Sequence, residues 1–343
     1  MARMKPLVSI LIPAFNAQDC ISDTLRSAIA QTWERKKIIV VDDGSTDQTL
    51  AVARQFESDF LRVVTQKNQG AAAARNAAFS LSRGDYIQWL DADDLLSPNK
   101  ITSQINYALS HGAGRRALLS CAWGHFIHSL QRAQFVPTPL WCDLSPLEWL
   151  LRKMEHNVFM QTATWLVSRE LTEAAGPWST ELLVDDDGEY FCRVLLASTG
   201  TWFVPSARVY YRRSGSSSLS YVGRSDRKME ALFLSLQLHI GYLRSLEDNA
   251  RVRAACAKLL QYSLVFFYPE RPDIVDRAKQ LAVELGGRLT VPALSWKYAW
   301  IQKAFGWPLA RRAQILMPRY KWSFIRSVDR ALSLIDKQHP QHE

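Results

Sequence analysis

The stretch Gln88-Trp-Leu-Asp-Ala-Asp-Asp94 changes from a hydrophobic strand into a cluster of carboxylates. Residues 85–90 have the pattern of a buried strand, and Ser97 with Pro98 signals a helix start soon afterwards. Three like charges this close repel one another at neutral pH unless a cation lies among them. Carboxylate oxygens at a strand end suit Mg²⁺ or Mn²⁺, especially a cation that also binds phosphates. A solvated acidic loop ahead of a helix is the alternative for this stretch alone.

The residues before this cluster alternate between short hydrophobic runs and amphipathic or alanine-rich segments. Hydrophobic runs at 7–12, 38–41, 61–65 and 86–90 read as strands, and amphipathic or alanine-rich segments between them read as helices. Strands that alternate with helices in this way form parallel sheets from βαβ units. The predicted fold class is therefore α/β.

Ligands of such sheets bind beyond the carboxyl ends of the strands. The polar groups expected at that edge belong to residues 13–16, 42–43, 68–76 and 91–94. The first strand is not followed by G-x-G-x-x-G, and the chain has no G-x-x-x-x-G-K-[ST] sequence. These absences argue against a dinucleotide-binding domain and against a P-loop.

The length of 343 residues fits one large domain and one smaller domain. Residues 202–204 and 208–211 predict two short, paired strands near the end of the first domain. A Ser/Gly-rich loop at 212–220 then marks the boundary, because strand patterns disappear after it. We therefore predict domains at 1–220 and 221–343, the second of them α-helical.

The net charge of +9 and a pI near 9.4 indicate an anionic partner, such as a nucleotide, a nucleic acid or a membrane surface. The C-terminal region holds nine cations against one acid between residues 288 and 330, interleaved with Trp and Tyr. That mixture is typical of segments that bind anionic lipid surfaces. An ordinary helical domain with buried aromatics is the alternative. Nucleic acid is disfavoured because no readout motif accompanies the charge.

The cysteines are five, scattered and never in a C-x-x-C pair, which favours a reducing compartment over a disulfide framework. Residues 1–6 carry cations without the apolar core of a signal peptide. No run of 18 apolar residues occurs in the chain. The sequence therefore predicts a cytoplasmic protein, soluble or peripheral on a membrane.

With these loops in place, the first 215 residues resemble glycosyltransferase family 2, the inverting transferases of GT-A fold, a Rossmann-like and mostly parallel sheet flanked by helices. Five motifs in the order and spacing of that family carry the resemblance. They are Val8-Ser-Ile-Leu-Ile-Pro-Ala-Phe-Asn16, Ile39-Val-Val-Asp-Asp-Gly-Ser-Thr-Asp47, Asn68-x-Gly70 with Ala74-Arg-Asn76, Gly84-Asp-Tyr-Ile-Gln-Trp-Leu-Asp-Ala-Asp-Asp94, and Asp186-Asp187 ahead of Arg193.

The resemblance implies a site for a nucleotide-sugar donor. Pro13, Phe15 and Asn16 would surround the base, and Asp43 would accept the uracil N–H, which favours a UDP-sugar. Arg75 would pair with phosphate oxygens, and one carboxylate, Asp91, would bind the ribose. Asp43 as a helix cap and Arg75 as a helix-surface residue are the alternatives.

The resemblance also implies a D-x-D motif, in which Asp93 or Asp94 binds Mn²⁺ or Mg²⁺ between the two phosphates. Asp187 aligns with the general base of the family, with Asp186 as the second candidate; an acidic helix N-terminus is the alternative for both. Many members have a histidine after the last strand, where this chain has Arg213 and Ser214. Either water supplies more of the metal's ligands, or Arg212 and Arg213 contact the diphosphate directly, and we expect the arginine contact.

The function implied is the metal-dependent, inverting transfer of a sugar to a hydroxyl of a glycan acceptor. The basic, aromatic C-terminus favours a lipid-linked acceptor at the cytoplasmic face of the inner membrane, as in polysaccharide or lipopolysaccharide assembly. The alternatives are a protein or soluble acceptor, with the C-terminal helices forming a homodimer, and a catalytically silent binding module.

Overall fold

The structure is a computed structural model that describes residues 5–213, 225–292, 294–307, 309–311 and 313–314. A parallel sheet forms the first half of this structure. Its strands run in the order β3-β2-β1-β4 and are mutually parallel, and helices connect them. The elements are β1 Val8–Ala14, α1 Ile21–Ile29, β2 Lys36–Asp42, α2 Thr49–Arg54, β3 Leu61–Thr65, α3 Ala71–Leu81 and β4 Tyr86–Trp89. The predicted alternation of strands and helices is confirmed.

A second, mixed sheet lies beside the first, in the order β5-β9-β6-β7. Its central strands β6 and β9 are parallel, while β8 extends the first sheet as an antiparallel edge of β4. The strands are β5 Leu95–Leu96, β6 Ala117–Phe126, β7 Gln134–Phe135, β8 Val167–Ser168 and β9 Gly200–Arg212.

The prediction of two short paired strands within residues 202–211 is wrong, because β9 is one continuous strand. Val204 pairs with Cys121 and Arg208 with Ala122, so residues 205–207 form a bulge opposite β6. Pro205 lies in this bulge, where its missing N–H breaks no ladder hydrogen bond. The sequence pattern predicts that the proline interrupts the strand, whereas in the structure the strand continues through the proline as a bulge.

Helices cover the sheets and continue into the C-terminal region. They are α4 Lys100–Ser110, α5 Pro146–His156, α6 Arg169–Ala175, α7 Asp186–Ala197, α8 Asp226–Leu246, α9 Ala250–Ser263 and α10 Pro272–Glu284. Helix α4 begins two residues later than Pro98 suggests. Ser97 is bonded to β9 instead, donating its N–H to the Arg208 carbonyl at 3.1 Å.

The hydrophobic core crosses the predicted domain boundary. One continuous cluster includes Leu11 of β1, Leu150 of α5, Val194 of α7, Leu232 of α8 and Leu260 of α9. The C-terminal helices therefore pack against the sheet domain through a shared core, and the division into 1–220 and 221–343 stays a prediction. Among the residues described, no helix has the length and hydropathy needed to cross a bilayer.

A buried lysine is hydrogen-bonded to the strand that precedes the acid cluster. The Lys100 ammonium is fully buried at the start of α4, where it donates to Gln88 Oε1 and, at 3.3 Å, to the Trp165 carbonyl. Gln88 in turn donates to the Ala163 carbonyl at 2.9 Å. Burial lowers the pKa of Lys100 to about 7, so folding releases a proton above that pH.

We predict that the free energy of unfolding rises between about pH 7 and about pH 8.5, because unfolded Lys100 binds a proton that the folded chain has released. The contribution of one such group is at most about 1.4 kcal/mol per pH unit. Lys100→Met should flatten this part of the profile, measured by urea unfolding at each pH. The exposed Lys37→Met should keep the wild-type slope, and an unchanged slope in Lys100→Met would contradict the prediction.

Candidate active site

The loops that follow β1 and β2 fold against each other at the carboxyl edge of the sheet. Asn16 adopts a positive φ of 47° and accepts from the Thr46 N–H at 2.9 Å, while its own N–H donates to Ser45 Oγ at 3.0 Å. Pro13 is buried at the end of β1, and the neighbouring Phe15 is 45% exposed. The paired loops thus present one aromatic side chain to solvent at this edge.

Asp43, directly after β2, is buried and accepts three hydrogen bonds. Its donors are Gln66 Nε2 at 2.8 Å, the Gln69 N–H at 3.0 Å and the Gly70 N–H at 2.8 Å. The last of these residues is the N-cap of α3. Asp43 therefore caps a helix, as the alternative interpretation held, although the helix is α3 rather than α2. Its contact with a base stays a prediction.

Arg75 is the centre of the site and lies buried on the inner face of α3. It donates to Asp186 Oδ2 at 2.7 Å and to Asp91 Oδ1 at 2.8 Å, and its guanidinium carbon lies 4.4 Å from the Trp178 ring centroid. Burial lowers the pKa of Arg75, but the two carboxylates outweigh it and raise the pKa above its ordinary value. The helix-surface alternative is therefore wrong, while a contact with phosphate stays a prediction.

The two candidate metal ligands differ in their surroundings. Asp94 is fully buried and accepts from the Arg212 N–H at 2.9 Å and from Gln161 Nε2. Burial, together with Asp93 and Asp91, raises the pKa of Asp94 well above its usual range. Asp93 is only partly buried. The geometry favours Asp93 as a ligand and gives Asp94 the task of fixing the loop.

The donor set at this loop fits a hard divalent cation. The loop supplies carboxylates, and Mg²⁺ or Mn²⁺ in such sites takes one or two of them with substrate phosphates as further ligands. In the described ranges, no three His, Cys, Asp or Glu side chains form a ready metal cage. Asp93, with Asp91 beside it, would therefore hold the cation together with a bound diphosphate.

The candidate bases lie at the N-terminus of α7. Asp186 pairs with Arg75, whereas Asp187 Oδ2 accepts from the Thr162 hydroxyl at 3.2 Å. Burial raises the pKa of Asp186 to about 6, and burial with Asp185 raises the pKa of Asp187 above its usual value. A raised pKa strengthens a carboxylate as a proton acceptor. With Asp186 held by Arg75, the geometry favours Asp187 as the base.

Arg212 ties the end of β9 to the acid cluster. Its Nε donates to the Asp93 carbonyl at 3.0 Å, its NH2 pairs with Asp23 at 3.0 Å, and it lies 4.6 Å over the Phe126 ring. Arg213 donates its N–H to the Phe126 carbonyl at 2.8 Å. The expected diphosphate contacts stay predictions, and residues 214–220 of the predicted boundary loop lie outside the described part of the chain.

Three residues of the site carry no signal in the sequence. Gln161 bonds Asp94, Thr162 bonds Asp187 and Trp178 supports Arg75. Gln161 and Thr162 belong to a short 3₁₀ segment without a motif. Only the tertiary fold brings these side chains to the carboxylates.

Sequence comparison connects this site with known transferases. Residues 9–169 match the profile described as glycosyl transferase family 2. The chain is 35% identical over 140 residues to the putative teichuronic acid biosynthesis glycosyltransferase TuaG of Bacillus subtilis, covering 40% of this chain and 52% of that protein. It is 41% identical over 104 residues to the UDP-Glc:alpha-D-GlcNAc-diphosphoundecaprenol beta-1,3-glucosyltransferase WfaP of Escherichia coli, covering 29% and 41%. The chain thus spans about half the length of these relatives, or less.

Solved structures show the same fold. S. aureus TarS 1-349 in complex with UDP-GlcNAc superposes with a TM-score of 0.65 at 18% identity, covering 81% of each chain. The mannosyltransferase PcManGT from Pyrobaculum calidifontis, in complex with GDP-Man and Mn²⁺, gives a TM-score of 0.50 at 16% identity, covering 98% of this chain and 88% of that one. The predicted GT-A fold with a helical C-terminal region is confirmed.

We predict that Arg75→Gln lowers the free energy of unfolding by about 3–5 kcal/mol, because it leaves Asp91 and Asp186 close together without their cation. Adding Asp186→Asn should recover part of this loss, since one of the like charges is then removed. Denaturant unfolding measures both. The matched control is Arg116→Gln, which breaks an exposed pair with Glu170 and should cost at most about 1 kcal/mol. Equal costs for Arg75→Gln and Arg116→Gln would contradict the prediction.

Proposed function

We propose that this chain, whose residues 9–169 belong to glycosyltransferase family 2, transfers a sugar from a nucleoside-diphosphate donor to a hydroxyl group of a glycan. One observation carries the proposal. Arg75 brings Asp91, at the end of β4, together with Asp186, at the start of α7, so that the D-x-D loop lies next to the N-terminus of α7 that carries the candidate base. A transferase needs a site for the departing diphosphate and a proton acceptor opposite it.

The donor proposed is a UDP-sugar. Phe15, after β1, offers an exposed aromatic face for the base, and the buried carboxylate of Asp43 follows the neighbouring strand β2. Among the related proteins, TarS binds UDP-GlcNAc and PcManGT binds GDP-Man, and the name of WfaP specifies UDP-Glc. These relatives differ in their nucleotide, so the choice of uridine rests on Asp43 rather than on the fold.

The cation proposed is Mn²⁺ or Mg²⁺, held by Asp93 with the donor phosphates. When bound there, the cation would supply Lewis-acid chemistry that neutralises charge on the leaving nucleoside diphosphate. Asp94 orients the loop from beneath through its bonds to Gln161 and to the backbone of Arg212. Arg212 would add positive charge near the diphosphate, as the sequence suggested for it and for Arg213.

Asp187 is the proposed general base. Its carboxylate would accept the proton of the acceptor hydroxyl as that oxygen attacks the anomeric carbon, and the bond to the Thr162 hydroxyl fixes its orientation. Burial, together with Asp185, raises the pKa of Asp187 above its usual value, which makes its carboxylate a stronger proton acceptor. The resemblance to this family implies inversion of configuration at the anomeric carbon, and this stereochemical outcome is part of the proposal.

The acceptor proposed is a lipid-linked glycan at the cytoplasmic face of the inner membrane. Trp296 is 81% exposed and Trp300 64% exposed, Phe305 is exposed beside them, and the Lys297 ammonium lies 5.9 Å from the Trp296 ring centroid. Exposed aromatics with neighbouring cations suit an anionic lipid surface. Of the other predicted members of this segment, Arg288, Tyr298, Lys303, Trp307 and Arg311 are described, and among them Trp307 is buried and Arg311 is paired with Glu270. The remaining members lie outside the described residues, namely Arg312, Arg319, Tyr320, Lys321, Trp322, Phe324, Arg326 and Arg330.

A protein or soluble acceptor, with a homodimer formed through the C-terminal helices, is the alternative enzyme. It would use the same exposed aromatic segment as a protein contact. A silent binding module is less well supported, because a protein that only binds has no need of two carboxylates held close together beside Arg75.

We predict micromolar UDP binding that requires Mn²⁺ and disappears in EDTA, measured by calorimetry. Asp93→Asn should abolish the metal-dependent part, because it removes the partly buried carboxylate that is the proposed metal ligand. Asp187→Asn is the matched control: it should bind UDP as the wild type does while losing at least about a hundredfold in turnover of the donor. UDP binding that does not depend on the metal, or that Asp93→Asn leaves unchanged, would contradict the assignment of Asp93 as the metal ligand.

We also predict that the full chain floats with vesicles containing anionic phospholipid and that salt weakens this binding, because charges at a lipid surface are screened. Trp296→Ala with Trp300→Ala should reduce flotation at least about fivefold, since both indoles would leave the interface. The control is Tyr262→Ala with Phe266→Ala, two exposed aromatics near the end of α9. Equal loss in both double variants, or retention in both, would contradict the assignment of the lipid contact to Trp296 and Trp300. A wild-type chain that does not float would favour the soluble-acceptor alternative.

A further inference from the structure

Asp185, the residue before the candidate bases, has an unusual backbone conformation. It is the N-cap of α7 with φ 57° and ψ 26°, the left-handed region that non-glycine residues seldom occupy. Such a conformation persists only where surrounding contacts hold it. The course of the backbone from Asp185 into Asp186 and Asp187 depends on this conformation. The contacts that hold Asp185 therefore also position Asp186 and Asp187.

The contacts that hold Asp185 come from the C-terminal helical region. Ser235 Oγ of α8 donates to Asp185 Oδ2, and His239 Nε2 lies 3.4 Å from the same oxygen without a hydrogen bond to it. Ser235 and His239 are one helical turn apart and both are buried. One face of α8 therefore lies against the carboxylate that precedes the bases.

Lys153 of α5 fixes the orientation of this histidine. Its ammonium lies 3.0 Å from His239 Nδ1. An ammonium can only donate, so Nδ1 accepts and the ring hydrogen lies on Nε2. Burial, together with Lys153, lowers the pKa of His239 well below its ordinary value, which keeps the ring neutral.

Gly188 completes the arrangement from the side of α7. A Cβ at this position would lie 2.1 Å from Asp185 Oδ1. The carboxylate of Asp185 therefore occupies the space that any other residue at 188 would fill. This glycine lies within a helix, where alanine would ordinarily be more favourable. The absence of a side chain here therefore leaves room for the carboxylate of Asp185.

We propose that Ser235 is a positioning residue for the transfer reaction: through Asp185, helix α8 sets the carboxylates of Asp186 and Asp187 against Arg75 and the acceptor. The inference rests on the proposed transferase function. It makes the C-terminal region part of the catalytic apparatus, in addition to any contact with a membrane. Small displacements of a base lower the rate of the chemical step more than they weaken substrate binding.

The test uses the full chain and two variants that release Asp185 from opposite sides. Ser235→Ala removes its hydroxyl donor, and Gly188→Ala displaces its carboxylate while favouring the helix. The rate measured is UDP release from whichever of UDP-glucose, UDP-galactose and UDP-N-acetylglucosamine the wild type turns over fastest. Both variants should lose at least about tenfold in kcat, with the donor KM and the UDP Kd within about twofold of wild type.

The matched control is Tyr242→Phe on the same face of α8. Tyr242 donates to Glu189 at 2.6 Å and makes no bond to Asp185, so this variant removes a hydroxyl bond from the same interface without releasing Asp185. It should keep kcat within about twofold. Hydrogen exchange at residues 185–189 should quicken in Ser235→Ala and Gly188→Ala but not in Tyr242→Phe.

The outcomes separate the two proposals. Wild-type turnover with an unchanged kcat in Ser235→Ala and Gly188→Ala would overturn the positioning role alone. An equal loss in Tyr242→Phe would also overturn it, since the effect would then belong to the interface in general. A wild type that turns over none of the donors and binds no UDP would overturn the transferase proposal, and the inference with it.

Discussion

The site depends on one buried guanidinium shared by two carboxylates. Arg75 pairs with Asp91 and with Asp186, a residue 111 positions away in the chain. Two buried carboxylates near each other are costly without a cation, and a buried arginine is equally costly without anions. The three groups therefore require one another, and this requirement joins α3, the end of β4 and the start of α7.

Aromatic packing beneath Arg75 turns these ion pairs into a rigid arrangement. Trp178 lies under the guanidinium and stacks on Tyr190 of α7 at 4.0 Å, while Trp89 of β4 meets both rings edge-on. The strand that delivers Asp91 and the helix that delivers Asp186 are thus packed on the same cluster of rings. Such packing leaves the carboxylates little freedom to reorganise when a substrate binds.

A second connection joins the two sheets at the same place. Asp94 accepts from the Arg212 backbone in β9 and from Gln161 in the 3₁₀ segment, so the end of one sheet is bonded to the end of the other. The neighbouring Thr162 then reaches Asp187. The acid loop, the last strand and the candidate base are therefore linked by consecutive hydrogen bonds, and the helical region adds Ser235 and His239 behind them.

The sequence alone determined the alternation of strands and helices and the collection of carboxylates at one sheet edge, because hydrophobic periodicity and strand-end residues are local properties. The tertiary structure decided what these residues contact. It buried Asp94 and left Asp93 partly open, gave Arg75 two carboxylate partners, used Asp43 to cap α3 and placed α8 behind Asp185. Each of these outcomes depends on contacts between residues far apart in the chain, and no local pattern encodes such contacts.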